Sequence, residues 1–365
     1  MFSDLLKEFI SPITAVFLTI SLGCIVGRIK VLGFSLGLSG VLLISLIAGV
    51  LFEIFPDHFG SNEQFVDLLK LFSNIGTALF VSSLGIMSGR TFSGWKKSYF
   101  KSILIGSLVV AADYLILVLI KTIYKGFDNG LLLGTFCGSL TSTPGLASAL
   151  ERSDGAMAGL GYGASYPFGV LFVVFFVQYM AERKTQHEDK PVIEQRKKSD
   201  PLYLFTVISF SVIIGYLIGN IEFPGLNISL GNTGGILLSS IFIGAITKNK
   251  ISIADESNLS VLKNLGLVFF FSGSGIISGL HLSGNVTVLL FVYGAIFSIF
   301  PVVFGYLISI LVTKDKNKSL QLVCGIMTST PAIGAFLERQ SSDDLSSYSL
   351  SYIGALVSII FFMKL

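Results

Sequence analysis

The sequence predicts an all-α polytopic membrane protein: two inverted repeats, each of five transmembrane helices plus one re-entrant helical hairpin. Three observations carry this. First, the chain is apolar. Of 365 residues, 52% are hydrophobic and only 13% charged, against about 25% charged in a soluble domain, and mean hydropathy is +0.79. Second, the chain is duplicated internally. Third, equivalent loops of the two copies carry opposite charge bias. The stretch 264–313 runs fifty residues without Asp, Glu, Lys or Arg, a length of apolar chain that membrane spans of about 20 residues explain.

The apolar segments come in two sets of six. The first set lies near 12–27, 38–55, 71–89, 101–120, 130–150 and 162–180. The second lies near 201–220, 234–247, 264–280, 285–312, 319–337 and 346–363. The sets align residue by residue. SNIGTALF at 73–80 matches KNLGLVFF at 263–270, and GIMSG at 85–89 matches GIISG at 275–279. Gly40, Ser45 and Gly49 match Gly235, Ser240 and Gly244, while Tyr162, Ser165 and Tyr166 match Tyr348, Ser351 and Tyr352. A repeat of this size sets the architecture. It divides the chain into a first membrane repeat at 1–181, a charged cytoplasmic linker at 182–200 and a second, inverted repeat at 201–365. Asp4, Lys7 and Glu8 stand where a signal peptide has a basic stretch, so the first apolar run is expected to be a retained span.

Orientation follows from comparing loops. Arg28 and Lys30 follow the first segment, whereas the counterpart near Glu222 has no cation. The next loop is acidic (Glu53, Asp57, Glu63, Asp67), and its counterpart carries Lys248, Lys250 and Lys263. The third has Arg90, Lys96, Lys97 and Lys101 against His281 alone. Basic loops face the cytoplasm, so the two halves are expected to point in opposite directions, with the N-terminus outside a prokaryotic cytoplasmic membrane. Inversion needs an odd number of crossings per half, so one of the six segments must enter and return.

The fifth segment is that candidate. Cys137 to Arg152 reads CGSLTSTPGLASALER, and Cys324 to Arg339 reads CGIMTSTPAIGAFLER, with nine of sixteen positions identical. Helix over 131–142 rises about 18 Å, short of a ~30 Å hydrocarbon core. Thr143 and Thr330 are expected as N-caps, with Pro144 and Pro331 at the first helical position. That leaves the amides of Gly145 to Ala147 and of Ala332 to Gly334 to meet an anion. With the hydroxyls of Thr141, Ser142, Thr328 and Ser329, two opposed tips form a candidate binding site for a small organic anion or amino acid. Broken helices in paired inverted repeats hold such sites in secondary transporters. The competing reading makes both segments proline-kinked packing helices whose hydroxyls bond their own backbone.

Other candidates are single residues. Asp113 lies inside the fourth segment without an acidic counterpart near 297–299, and an intramembrane acid is a candidate ion or proton site. Asn74 and Asn264 match across the repeats as cavity-lining candidates. Glu151-Arg152 and Glu338-Arg339 end the return arms as interfacial anchors or hairpin salt bridges. Cys24, Cys137 and Cys324 form no metal-ligand spacing. No phosphate loop is present, and no His lies near a hairpin to activate a hydroxyl nucleophile. An ATP-driven pump and an intramembrane enzyme are thereby disfavoured, and no cofactor or nucleic-acid partner is expected.

The duplicated CGSLTSTPGLASALE and CGIMTSTPAIGAFLE, with IGTALFVSSLGIMSG and LGLVFFFSGSGIISG, resemble the aspartate:alanine exchanger family of bacterial transporters over most of both halves. The resemblance implies exchange of small carboxylate-bearing metabolites, such as aspartate for alanine, or export of a dicarboxylate. It also implies a homodimer working by an elevator-type motion. Two departures stand out: a linker of about nineteen residues where relatives often carry soluble regulatory domains, and Arg90 where they often show proline. The same plan resembles sodium:glutamate and citrate carriers, which keeps sodium- or proton-coupled symport as an alternative.

Overall fold

The computed structural model describes residues 11–31, 34–35, 37–54, 63–90, 97–123, 128–152, 157–181, 200–223, 228–247, 250–251, 253–280, 288–337 and 345–365. Glu338, Arg339, His281 and nearly all of the 182–200 linker lie outside these residues, as do residues 1–10. The described residues form fourteen helices and two antiparallel pairs of two-residue strands.

The first half holds α1 (Pro12–Gly27), β1 (Lys30–Val31), β2 (Phe34–Ser35), α2 (Ser39–Ile54), α3 (Glu63–Arg90), α4 (Lys97–Ile123), α5 (Asn129–Ser139), α6 (Thr143–Leu150) and α7 (Ala158–Met180). The second holds α8 (Pro201–Gly219), β3 (Glu222–Phe223), β4 (Ile228–Ser229), α9 (Gly231–Thr247), α10 (Ile253–Leu280), α11 (Val288–Thr313), α12 (Lys316–Ile326), α13 (Thr330–Leu337) and α14 (Ser346–Lys364). Every apolar segment of the sequence became a helix, and both fifth segments became two. Seven helices (α3, α4, α7, α8, α10, α11 and α14) are long and apolar enough to cross a membrane, and three more, α1, α2 and α9, are shorter and apolar. The third helix of each half begins well before its apolar run, because EQFVDLLK and ADESNLSVLK add amphipathic turns that hydropathy alone ends too late to include.

The helices sort into two bundles, each drawing equally on both halves. One contains α1, α2 and α3 with α8, α9 and α10. Its centre is the crossing of α3 and α10, where Gly76 meets Gly266 and Phe270 with no side chain between the backbones. Thr19 of α1 and Ser272 of α10 share a hydroxyl bond of 2.8 Å there. The other bundle contains α4, the α5–α6 pair, α7, α11, the α12–α13 pair and α14. Its core joins Phe136, Tyr162, Phe297, Phe336 and Ile359. Packing obeys an internal twofold pattern: α3 against α9 is repeated as α10 against α2, and α5 against α7 as α12 against α14. Outward faces are apolar, as for Leu115, Leu119 and Ile123 of α4, which suits contact with lipid.

Candidate functional site

The two broken helices lie in the second bundle and are built alike. Asp128 starts the first, its Oδ1 accepting from Leu131 N at 3.2 Å. Asp315 starts the second, accepting from Asn317 N at 2.9 Å and Lys318 N at 3.1 Å. These acids are N-caps separated by the same interval as the Thr-Ser-Thr-Pro motifs. Each first arm is 11 residues long and each return arm 8. Eleven residues rise only about 16 Å.

Each arm then stops in a Schellman closure. Ser142 N donates to Cys137 O at 2.8 Å and Thr141 N to Gly138 O at 2.9 Å; Ser329 N donates to Cys324 O at 3.0 Å and Thr328 N to Gly325 O at 2.9 Å. This motif needs a left-handed residue, usually glycine, and here it is threonine: Thr141 has φ 54° and Thr328 φ 46°. A β-branched residue in that region is strained by roughly 1–3 kcal/mol. What holds it is a reciprocal pair of bonds between the tips. Thr141 Oγ1 donates to Met327 O at 2.6 Å, and Thr328 Oγ1 donates to Leu140 O at 2.9 Å. The two chain breaks therefore satisfy each other's carbonyls, as buried backbone requires.

The capping expectation is corrected by one residue. Thr143 is the first helical residue of α6, and Ser142 is the N-cap, its Oγ accepting from Gly145 N at 3.2 Å. Ser329 Oγ likewise accepts from Ala332 N at 3.3 Å. Leu146 N and Ile333 N are taken by Ser142 O and Ser329 O. The amides expected to lie open to an anion at Gly145, Leu146, Ala332 and Ile333 are thus already bonded. The reason is that serine, with its short flexible hydroxyl, caps from the residue before the Thr-Pro pair and moves proline one position into the first turn.

Thr143 Oγ1 bonds Tyr162 OH at 3.1 Å instead. Tyr162 stacks on Tyr166 at 5.2 Å, and the matching Tyr348 and Tyr352 lie 5.8 Å apart. Gly138 and Gly325 let the arms touch the backbones of Tyr162 and Tyr348. Three threonines keep a sliver of surface, Thr141 at 7%, Thr143 at 8% and Thr328 at 6%, while Ser142 and Ser329 are sealed. Pro144 and Gly145 are buried, Ala332 is buried and Pro331 is exposed. The sequence missed the tyrosines' partnership with the tips, although their duplication was its signal.

Asn74 and Asn264 are not brought to the tips. Both lie exposed on α3 and α10, beside exposed Ile75 and Leu265, and neither bonds a tip residue among the described residues. Asp113 is fully buried in α4. Glu151 ends α6 and joins three elements: Oε1 accepts from Thr233 N and Thr233 Oγ1, both at 2.6 Å, and Oε2 pairs with Lys364 Nζ at 2.6 Å. The Thr233 amide belongs to the positive N-terminal turn of α9, so this carboxylate ties the hairpin bundle to the other bundle. Arg152 Nη1 donates to Met363 O at 2.9 Å. Cys137 and Cys324 are fully buried.

A multi-pass helical membrane protein with paired broken helices is the class defined so far. Comparison with known sequences gives the family. The Asp-Al_Ex family model, described as a predicted permease membrane region, matches residues 15–182 and 207–365. The chain belongs to this family of membrane transporters. Similar proteins named as uncharacterized transporters occur in Bacteroides fragilis and Bacteroides thetaiotaomicron, each 37% identical over 181 residues, covering 49% of this chain and 31% of the relative. One from Rhodopirellula baltica is 32% identical over 169 residues, 46% of this chain and 29% of the relative. The matched stretches thus span less than a third of those relatives' own length.

Proposed function

We propose that the chain is the membrane part of a secondary transporter that exchanges small carboxylate-bearing metabolites, such as aspartate and alanine or dicarboxylates, between the two sides of a prokaryotic cytoplasmic membrane. The substrate site is the meeting point of the two tips, with Thr141, Ser142, Thr143, Pro144 and Gly145 on one and Thr328, Ser329, Thr330, Pro331 and Ala332 on the other. The observation that carries this reading is the reciprocal pair Thr141–Met327 and Thr328–Leu140. Two strained chain breaks are held against each other in the protein interior, and irregular backbone at membrane depth survives where it is buried or lines a cavity.

On this reading each half, 1–181 and 201–365, contributes five spans and one re-entrant hairpin, the halves are inverted, and the N-terminus is outside. The twofold packing and the flip of loop charge support the inversion. The division into two bundles supports an elevator-type motion, in which the hairpin bundle moves against a homodimeric scaffold of α1–α3 and α8–α10. Hydroxyls and helix dipoles, without a cation in either Thr-Ser-Thr-Pro tip, suit a small zwitterion or a weakly held anion.

The test is counterflow in proteoliposomes against a panel of amino acids and dicarboxylates. Trans-stimulated uptake of at least one panel member is expected, with Thr143→Ala and Thr330→Ala each cutting it about tenfold, the loss of one bond of about 1.4 kcal/mol, while folded yield stays normal. Wild-type counterflow in both variants would remove the tips from the site.

A further inference from the structure

Asp113 is 0% exposed, and neither carboxyl oxygen has a hydrogen-bond partner among the described residues. Its place in the fold can be read from its neighbours. Gly106, two turns earlier on α4, lies against the backbone of Ser351. Ser351 Oγ donates to Leu322 O on the first arm of the second hairpin, while Tyr114 stacks on Phe362 at 4.6 Å. α4 and α14 therefore run side by side in the same direction. On the face of α4 one turn before Asp113, Val109 packs in one cluster with Leu322 and Ile326, the end of that arm. Moving seven residues from Gly106, about 10 Å, brings the chain level with the second tip.

Val109, Val110 and Leu117, one turn away on either side along α4, are buried apolar residues. The elements packed against α4 are α5, α11, α12 and α14. Their titratable groups within the bundle are Cys137, Tyr293, Tyr306, Cys324, Tyr348 and Tyr352. Charged groups stand at the ends: Lys316 and Lys318 open α12, Lys101 and Lys121 lie at least two turns away on α4 itself, Lys364 is paired with Glu151, and Arg152 donates to Met363 O. A sodium ion needs several oxygen ligands at once. A proton needs one oxygen. An ionised carboxylate buried without a partner is costly.

We infer that Asp113 is the proton site of this carrier, protonated while the hairpin bundle is packed as seen here and releasing its proton to water once that bundle has carried it to the other side. This rests on the proposed transport function and adds to exchange a return of the empty, deprotonated carrier, through which a pH gradient drives net uptake. The step is an acid dissociation: the O–H bond breaks, the electron pair stays on the carboxylate and the proton passes to water. A second anion near the tips disfavours ionised Asp113, so substrate anion and proton bind together and travel together. The second half carries no acid near the equivalent 297–299, so one proton accompanies each cycle.

Two measurements test this on the purified, reconstituted chain, comparing wild type with Asp113→Asn and Asp113→Glu. The first needs no substrate. The infrared spectrum of wild type minus Asp113→Asn at neutral pH is expected to show the C=O stretch of a protonated acid, shifted down in D2O; carboxylate bands in its place overturn the proposal. The second uses labelled L-aspartate and succinate. Self-exchange at equal pH is expected to survive in Asp113→Asn, whereas accumulation driven by an imposed pH gradient is lost and returns at least in part in Asp113→Glu. Gradient-driven accumulation in Asp113→Asn equal to wild type, or wild-type exchange indifferent to the gradient, overturns it. Absence of self-exchange for both probes in wild type strikes the transport reading instead, and the infrared band still decides the state of Asp113.

Discussion

The two hairpins share one design and differ in their cover. In both, an aspartate caps an 11-residue arm, a Schellman closure is forced on threonine, a serine caps an 8-residue return arm, and the tip threonine bonds the opposite tip. Around the first hairpin everything from Gly130 to Ala149 is buried, and Glu151 fastens its end to Thr233 and Lys364. On the second, Pro331 is exposed at the same place where Pro144 is sealed. The likeness comes from local backbone chemistry, which the duplicated sequence copies. The difference comes from what the other bundle lays over each arm, which is a property of the conformation. On the alternating-access reading proposed above, two equivalent gates would differ in cover in this way within one conformation.

The comparison can be broken most severely at the tip-to-tip bonds. Replacing Thr141 and Thr328 together by Val removes both donors and leaves two buried carbonyls unpaired. A loss of roughly 1–3 kcal/mol per site is expected as a large fall in thermal unfolding temperature in detergent, with each single variant intermediate. Asn tolerates the left-handed backbone and keeps a donor, so Thr141→Asn should retain much more stability than Thr141→Val. Equal damage from both would show that the bond, as distinct from the backbone shape, contributes nothing.

Accessibility sharpens the contrast between the covers. The native thiols at 137 and 324 are sealed and cannot report it. Cysteine placed at Pro331 should react with a membrane-impermeant maleimide much faster than cysteine at Pro144. Adding Glu151→Gln, which weakens the tie to α9, should speed the slow site and leave the fast one unchanged. Equal rates at the two prolines would remove the difference between the gates.

Smaller effects follow from the caps. Ser142→Ala and Ser329→Ala should each cost about 1 kcal/mol, read in the same thermal assay, and the losses should match because the geometry matches. Asn74→Ala and Asn264→Ala, on exposed faces, should stay within about 0.5 kcal/mol of wild type.

Much of this is legible in the sequence alone. The twelve apolar segments, their pairing and the breaks in the fifth of each set follow from hydropathy and from a copied motif. Those signals are local, and a membrane chain must satisfy its backbone locally. The break itself was misread by one residue because Thr141 and Thr328 occupy positions where glycine normally announces a Schellman turn. Asn74 and Asn264 shared the repeat's signature with the tips, yet duplication marks equivalent positions, not proximity to a site.

By itself, then, the sequence determined which stretches are helical, where two of them break and that the halves are copies, since these depend on residues near one another along the chain. Only the tertiary structure decided that Met327 and Leu140 carbonyls meet the opposite threonines, that Glu151 reaches α9 and that Asp113 is wholly buried without a hydrogen-bond partner among the described residues. Those contacts join residues up to 213 positions apart, as in Glu151 and Lys364. No local pattern encodes them, because they depend on how two bundles drawn from both halves pack in three dimensions.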